Sequence, residues 1–143
     1  MKQITITKDI YHKILDYFDS FDFEMGGALI VKENKIVDFL PLQNFEENKK
    51  SSYLFSFEEL NELLSPHFEN GCDLGGIIHS HIGGCLSLSK YDKEFFYSFL
   101  KENQSYQFLI TPIIVFHHHK KQIKWWIFSR DKEPQELFPM ILI

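Results

Sequence analysis

Residues 75–92 read "GGIIHSHIGGCLSLSKYD", and the architecture of the whole chain turns on this stretch. The run "LGGIIHSH" (74–81) is apolar and of strand length. Alternate side chains of a strand share a face, so His79 and His81 point to one side and Ser80 to the other. Residues 82–88 follow, with Gly83 and Gly84 supplying a turn. Ser89 and Asp92 then stand at the start of a helix, marked by Phe95, Phe96, Phe99 and Leu100 at helical spacing.

Upstream, residues 8–20 place Ile10, Ile14, Tyr17, Phe18 and then Phe21 on one helical face. "GGALIVKENKIVDFLPL" (26–42) is two apolar runs joined by a polar turn at 32–35, a β-hairpin. Residues 43–52 are polar and turn-rich, a surface loop. Ser56, three residues before Glu59, forms a capping box for a second helix that ends near Asn70 and Gly71. "YQFLITPIIVF" and "IKWWIFS" flank the polar turn "HHHKKQ" as a second hairpin, and the tail "EPQELFPMILI" fits a helical turn and then an apolar strand. The order is helix, hairpin, helix, strand, helix, hairpin. It predicts an α/β (α+β) fold in which hairpins build one sheet and helices pack against it.

Composition bounds the rest. The 143 residues fit one domain, 1–143, without repeat or linker. With 44% hydrophobic and 24% charged residues the chain has globular composition, and its 15 phenylalanines exceed what a small core needs, leaving material for an apolar groove. A net charge of −5 argues against nucleic acid as partner. The sequence has neither a signal-peptide pattern nor an apolar run long enough to span a membrane, and Cys72 and Cys85 are too few for a disulfide framework. These features together give a cytoplasmic expectation.

Two imidazoles on one face at the end of a strand can share a metal ion. The glycine turn returns the chain so that Asp92 can complete three protein ligands and leave a fourth position for water, the arrangement of a catalytic zinc. The same residues carry a plainer reading: Ser-x-x-Asp before an apolar run is a capping box, and an aspartate in a first turn suits the helix dipole. The conjunction is more demanding than either half. His117, His118 and His119 lie at a hairpin turn where neighbouring side chains diverge. Cys85 reads as a small apolar residue or a loop thiol, with an inhibitory fourth ligand as the alternative. Trp125 and Trp126 put one indole on each face of a strand, one for the core and one for a partner surface. There is no His-Glu-x-x-His, no deaminase Pro-Cys-x-x-Cys, no P-loop and no nucleophile elbow.

The string His79-x-His81, seven residues, Ser89-x-x-Asp92 resembles the JAMM motif of the MPN/JAB-domain zinc metalloproteases. That resemblance implies an MPN/JAB-like fold across residues 1–143, a mixed sheet in a cytidine-deaminase-like sandwich. It assigns Glu24, in "FEMGGALIV", as the catalytic glutamate, although a glutamate before a strand needs no role by itself. It implies a Zn2+ held by His79, His81 and Asp92, with Glu24 as general base and Ser89 as an oxyanion donor. The implied reaction is hydrolysis of the peptide or isopeptide bond after the C-terminal glycine of a ubiquitin-like or sulfur-carrier protein, in a system that includes an E1-like activating enzyme. Where members commonly carry proline after the second histidine this chain has Ile82, which alters the loop rather than the ligands. The chain is short, as in minimal prokaryotic members. The family also contains non-catalytic interaction modules, which typically lose one of the motif positions, whereas this chain keeps all of them.

Overall fold

The structure is a computed structural model and describes residues 3–143. Thr7 closes strand β1 (Thr5–Thr7) and caps helix α1 (Lys8–Tyr17), its hydroxyl accepting the Ile10 N–H. Strands β2 (Gly26–Lys32) and β3 (Lys35–Leu42) form the expected hairpin. Its two turn residues, Glu33 and Asn34, take φ of 51° and 64°, the left-handed pair that matches the twist of the flanking strands. Ser56 caps α2 (Phe57–Phe68) through the Glu59 N–H. Strand β4 (Asp73–Ser80) and helix α3 (Lys90–Glu102) follow, then β5 (Phe108–Ile110), β6 (Ile113–His117), β7 (Lys120–Ser129), β8 (Gln135–Leu137) and β9 (Met140–Leu142).

The strands form one mixed sheet in the order β5, β7, β6, β4, β2, β3, β1, β9, with β8 paired to β7 and β5 also paired to β4. Strand β4 lies near the middle, antiparallel to β2 and parallel to β5 and β6, because α3 carries the chain across the sheet face before it returns. Apolar residues leave the sheet on both faces. Leu29, Ile36, Ile78 and Ile114 pack with Ile14 and Phe18 of the α1 side. Ala28, Ile30, Ile77 and Val115 pack with Leu60, Leu64, Phe96 and Leu100 of α2 and α3. The α+β sandwich expected from the sequence is therefore the fold, with helices on both sides of the sheet.

Two details were not readable as periodicity. Strand β1 precedes α1, and the first part of the tail forms β8 rather than a helical turn, while the apolar strand expected after it is β9; three residues are too few for an alternation to register in β1 and β8. β1 runs parallel to both β3 and β9.

The seam between β4 and β5 tolerates no side chain at Gly76, where an added Cβ would sit 1.7 Å from the Ile110 carbonyl oxygen. Gly76→Ala should cost about 3 kcal/mol or more, the upper end of overpacking, because the obstacle is backbone. Urea unfolding of wild type and variant measures this, and an unchanged midpoint would contradict the strand spacing.

Candidate metal centre

Strand alternation sets the direction of the histidines. Ile77 enters the α2/α3 core and Ile78 the α1 core, so His79 and His81 continue the α2/α3 side. Gly26 pairs with His79 across β2 and β4, and Glu24, two residues earlier, lies on the same side. Asp92 comes from the first turn of α3, which packs over that face. Four residues from three separate segments thus converge, and all four are buried: Glu24 6%, His79 2%, His81 9% and Asp92 8% exposed.

The contacts are short. His79 Nε2 and His81 Nε2 are 3.0 Å apart, Asp92 Oδ1 is 3.3 Å from the former and Asp92 Oδ2 3.1 Å from the latter. Glu24, His79 and His81 offer ligand atoms within 4.8 Å of one another, a group able to hold a metal ion. A donor at about 2.0–2.1 Å from a tetrahedral ion implies donor–donor edges of about 3.3–3.4 Å, close to the separations seen.

Hydrogen bonding explains why a cation belongs there. His81 Nδ1 lies 3.0 Å from the Cys85 carbonyl oxygen, which can only accept, so Nδ1 carries the proton. Neutral His81 then turns the lone pair of Nε2 toward the Asp92 carboxylate and the His79 nitrogen. Acceptors facing acceptors repel unless a positive charge sits between them, either a proton on an imidazole or a metal ion. The donor set and its spacing fit a metal ion.

The electrostatics of the protein without metal say the same. Burial alone would raise the Asp92 carboxyl, but hydrogen bonds from His79, His81 and the Ser89 N–H outweigh it and hold Asp92 well below the usual carboxylate range. Burial opposes charging His81, yet the bond to Asp92 and the charges of Asp92 and Glu24 raise it above its ordinary 6.5. Burial pushes the Glu24 carboxyl up to about 7, with His81 pulling the other way and Asp92 adding to the rise.

Ser89 and Asp92 satisfy both of their readings at once. The Ser89 hydroxyl accepts the Asp92 N–H and Asp92 Oδ2 accepts the Ser89 N–H, each at 3.0 Å, a complete capping box. Capping uses a lone pair of the serine oxygen, and its O–H remains to donate outward. Ser89, Glu24, His81 and Asp92 line an open cavity of about 310 Å³ together with Lys50 and Ile82.

Several supports were invisible in the sequence. Tyr53 stacks on His79, with ring centroids 6.0 Å apart and planes 12° from parallel, and donates its hydroxyl to the Leu42 carbonyl. A Cβ on Gly26 would lie 2.6 Å from that tyrosine ring, so the glycine makes room for it. Trp125 is buried as expected; Trp126 is half-buried, and its Nε1–H donates to the Leu86 carbonyl and pins the loop that carries Cys85. Cys85 and Cys72 are both free thiols, the former exposed. Glu24 departs from the ordinary expectation for a glutamate before a strand, being buried rather than solvated. His118 and His119 occupy the β6–β7 turn at φ of 52° and 63°, and among the described residues the triplet joins no ligand cluster.

No protein-family model matches the chain, and no curated protein matches it by sequence. Solved structures do resemble it. The solution structure of a protein from Desulfitobacterium hafniense aligns over 96% of this chain and 92% of its own, with a TM-score of 0.72 and 20% identity. The crystal structure of a JAB1/MPN domain protein from Archaeoglobus fulgidus aligns over 99% of this chain and 100% of its own, with a TM-score of 0.59 and 14% identity. The chain therefore has the fold of a JAB/MPN domain. Among the described residues no helix is long and apolar enough to cross a membrane.

Two outcomes follow from this cluster. Zinc added at about 100 times its Kd should raise the unfolding free energy by about 2.7 kcal/mol, and His79→Ala, His81→Ala and Asp92→Ala should each abolish that gain. Elemental mass spectrometry should find the metal in wild type alone. Without metal, the stability from Asp92, whose folded pKa is lowered, is present above its unfolded value of 3.8 and lost as pH falls. The stability from His81, whose folded pKa is raised, is present below 6.5 and lost as pH rises through the raised value. Denaturation of the metal-free protein should therefore show a maximum between those limits; zinc should remove the His81 part of the alkaline decline and leave the part due to Glu24, whose carboxyl is also raised, and an alkaline decline of unchanged size with zinc bound would exclude the shared-cation account.

Proposed function

We propose that the protein is a zinc-dependent (iso)peptidase that hydrolyses the bond after the C-terminal glycine of a ubiquitin-like or sulfur-carrier protein. The observation that carries this reading is the convergence of Glu24, His81, Asp92 and Ser89 on one open cavity, with His79 directly beside His81 and Asp92. A scaffold member of such a fold has no need to keep every one of these groups. Likeness in fold to a JAB1/MPN domain protein supports the same reading.

His79, His81 and Asp92 would hold the ion, through two imidazole nitrogens and a carboxylate oxygen. When bound, zinc supplies Lewis-acid polarisation of a carbonyl and acidification of water near neutral pH. Glu24 takes the proton of the attacking water as its oxygen adds to the scissile carbonyl carbon. Burial suits it to this role, since a carboxyl raised to about 7 is a better base than a solvated one. As the C–N bond breaks, Glu24 returns the proton to the leaving amine. The Ser89 hydroxyl donates to the oxygen that gathers negative charge, and its position is fixed because the same atom caps α3.

The substrate tail enters extended, and glycine residues would pass where a side chain meets the walls of the cavity formed by Ile82, Cys85 and Leu88. The partner is then a protein with a C-terminal glycine tail, supplied by an E1-like activating enzyme of the same system, and the setting is the cytoplasm.

A peptide ending in Gly-Gly-aminomethylcoumarin amide tests the reaction. Zinc-loaded wild type should release the fluorophore, and chelation should stop it. Glu24→Gln should keep the metal and lose about 10²–10⁴-fold in kcat, the range of a general base. Ser89→Ala should lower kcat about 10²-fold or more with KM little changed, beside a stability loss of about 1 kcal/mol from the cap. Zinc uptake with no cleavage of this peptide or of ubiquitin-like fusions would leave a metal-binding MPN-like interaction module instead.

A further inference from the structure

The polar loop after β3 does more than connect. Asn44, 8% exposed, uses its whole amide. The Nδ2 group donates to the Glu24 carbonyl at 2.9 Å and to the Ser52 carbonyl at 3.1 Å. The Oδ1 atom accepts the Glu46 N–H at 2.9 Å and the Leu54 N–H at 3.1 Å. Both donors and both lone pairs of the acceptor oxygen are engaged. The same loop reaches Glu24 a second time, where the Lys49 carbonyl accepts the Glu24 N–H.

Glu24 stands outside β2, beyond the last ladder pair at Gly26, so no strand partner fixes its peptide groups. Its backbone is held by the loop on both sides: the N–H by Lys49 and the C=O by Asn44. One residue on, the Ser80 hydroxyl accepts the Met25 N–H at 2.9 Å and ties that residue to β4. A glutamate side chain whose main chain could shift by an ångström would lose its place beside His81.

We propose that Asn44 is a positioning residue for Glu24: its amide locks the loop and the Glu24 carbonyl together and so sets where the Glu24 carboxylate stands. This rests on the assignment of Glu24 as general base. Asn44 bonds to none of the side chains of His79, His81 or Asp92, so its effect on metal affinity and its effect on turnover separate.

The experiment compares Asn44→Ala and Asn44→Asp, the latter keeping the two acceptors and losing the two donors. Zinc affinity of both should fall by less than the roughly 10-fold that follows removal of a ligand's own hydrogen-bond partner. Turnover of the Gly-Gly-aminomethylcoumarin amide should fall about 10²-fold in kcat for both, with KM nearly constant, as for a misplaced catalytic group. In a Glu24→Ala background, Asn44→Ala should cost little further kcat, because the residue acts through Glu24. Amide hydrogen exchange of the metal-free proteins should show the Glu24 N–H less protected in both variants, with the amides of β4 unchanged.

Three results would overturn the proposal: Asn44→Asp turning over like wild type, the full loss persisting in the Glu24→Ala background, or the Glu24 amide staying as protected as in wild type. Failure of the peptidase reading looks different, since wild type itself would then be inactive, and the exchange measurement would still decide whether Asn44 holds Glu24.

Discussion

The Nδ1–H of His81 is directed to the carbonyl of Cys85, and the character of the whole centre follows from that one bond. A neutral imidazole has one proton to place. With that proton on the loop side, the other nitrogen can only present a lone pair to Asp92 and His79. The cluster is left short of positive charge by construction. Loop 82–88 carries that carbonyl, and Trp126, donating to the next carbonyl along, anchors the loop from the far hairpin.

A second constraint lies at the start of α3. A helix needs its first N–H groups satisfied, and Ser89 and Asp92 do this reciprocally. Neither group is exhausted by capping, since Asp92 Oδ1 faces His79, Oδ2 also faces His81, and the serine hydroxyl, accepting in the cap, keeps its proton to donate. Helix stability and site geometry are therefore one requirement, and a substitution at either residue disturbs both. The capping and functional readings of these residues describe the same atoms.

How much of this was legible depended on how local each relation is. His79 and His81 share a face by strand alternation, and Ser89 and Asp92 mark a helix start, so four of the five principal residues could be read within one stretch of sequence. Glu24 could not. Its burial comes from β2 pairing with β4 and from the loop folded over it, relations across distant segments, and only resemblance to a known motif singled it out. Tyr53, Trp126 and Asn44 were illegible for the same reason: each acts through a contact that exists only after strands far apart in sequence have paired. Residues 43–52 read as an ordinary surface loop because nothing in their composition says what they cover. The sandwich itself was clear from hairpins and amphipathic helices, while the three-residue strands β1 and β8 carried too little pattern to be seen.

The parallel pairing of β1 with β9, Thr5 opposite Met140, bears on how the chain reaches this state. Closing a loop costs entropy that grows with its length, and non-local parallel strands are slow to form. The groups of the candidate metal centre all fall between residues 24 and 92, joined by one antiparallel hairpin, one antiparallel pair and a single turn into α3. The expected order of assembly is therefore centre first and outer edge last, so that an ion captured early would act on the folding pathway as well as on the finished protein.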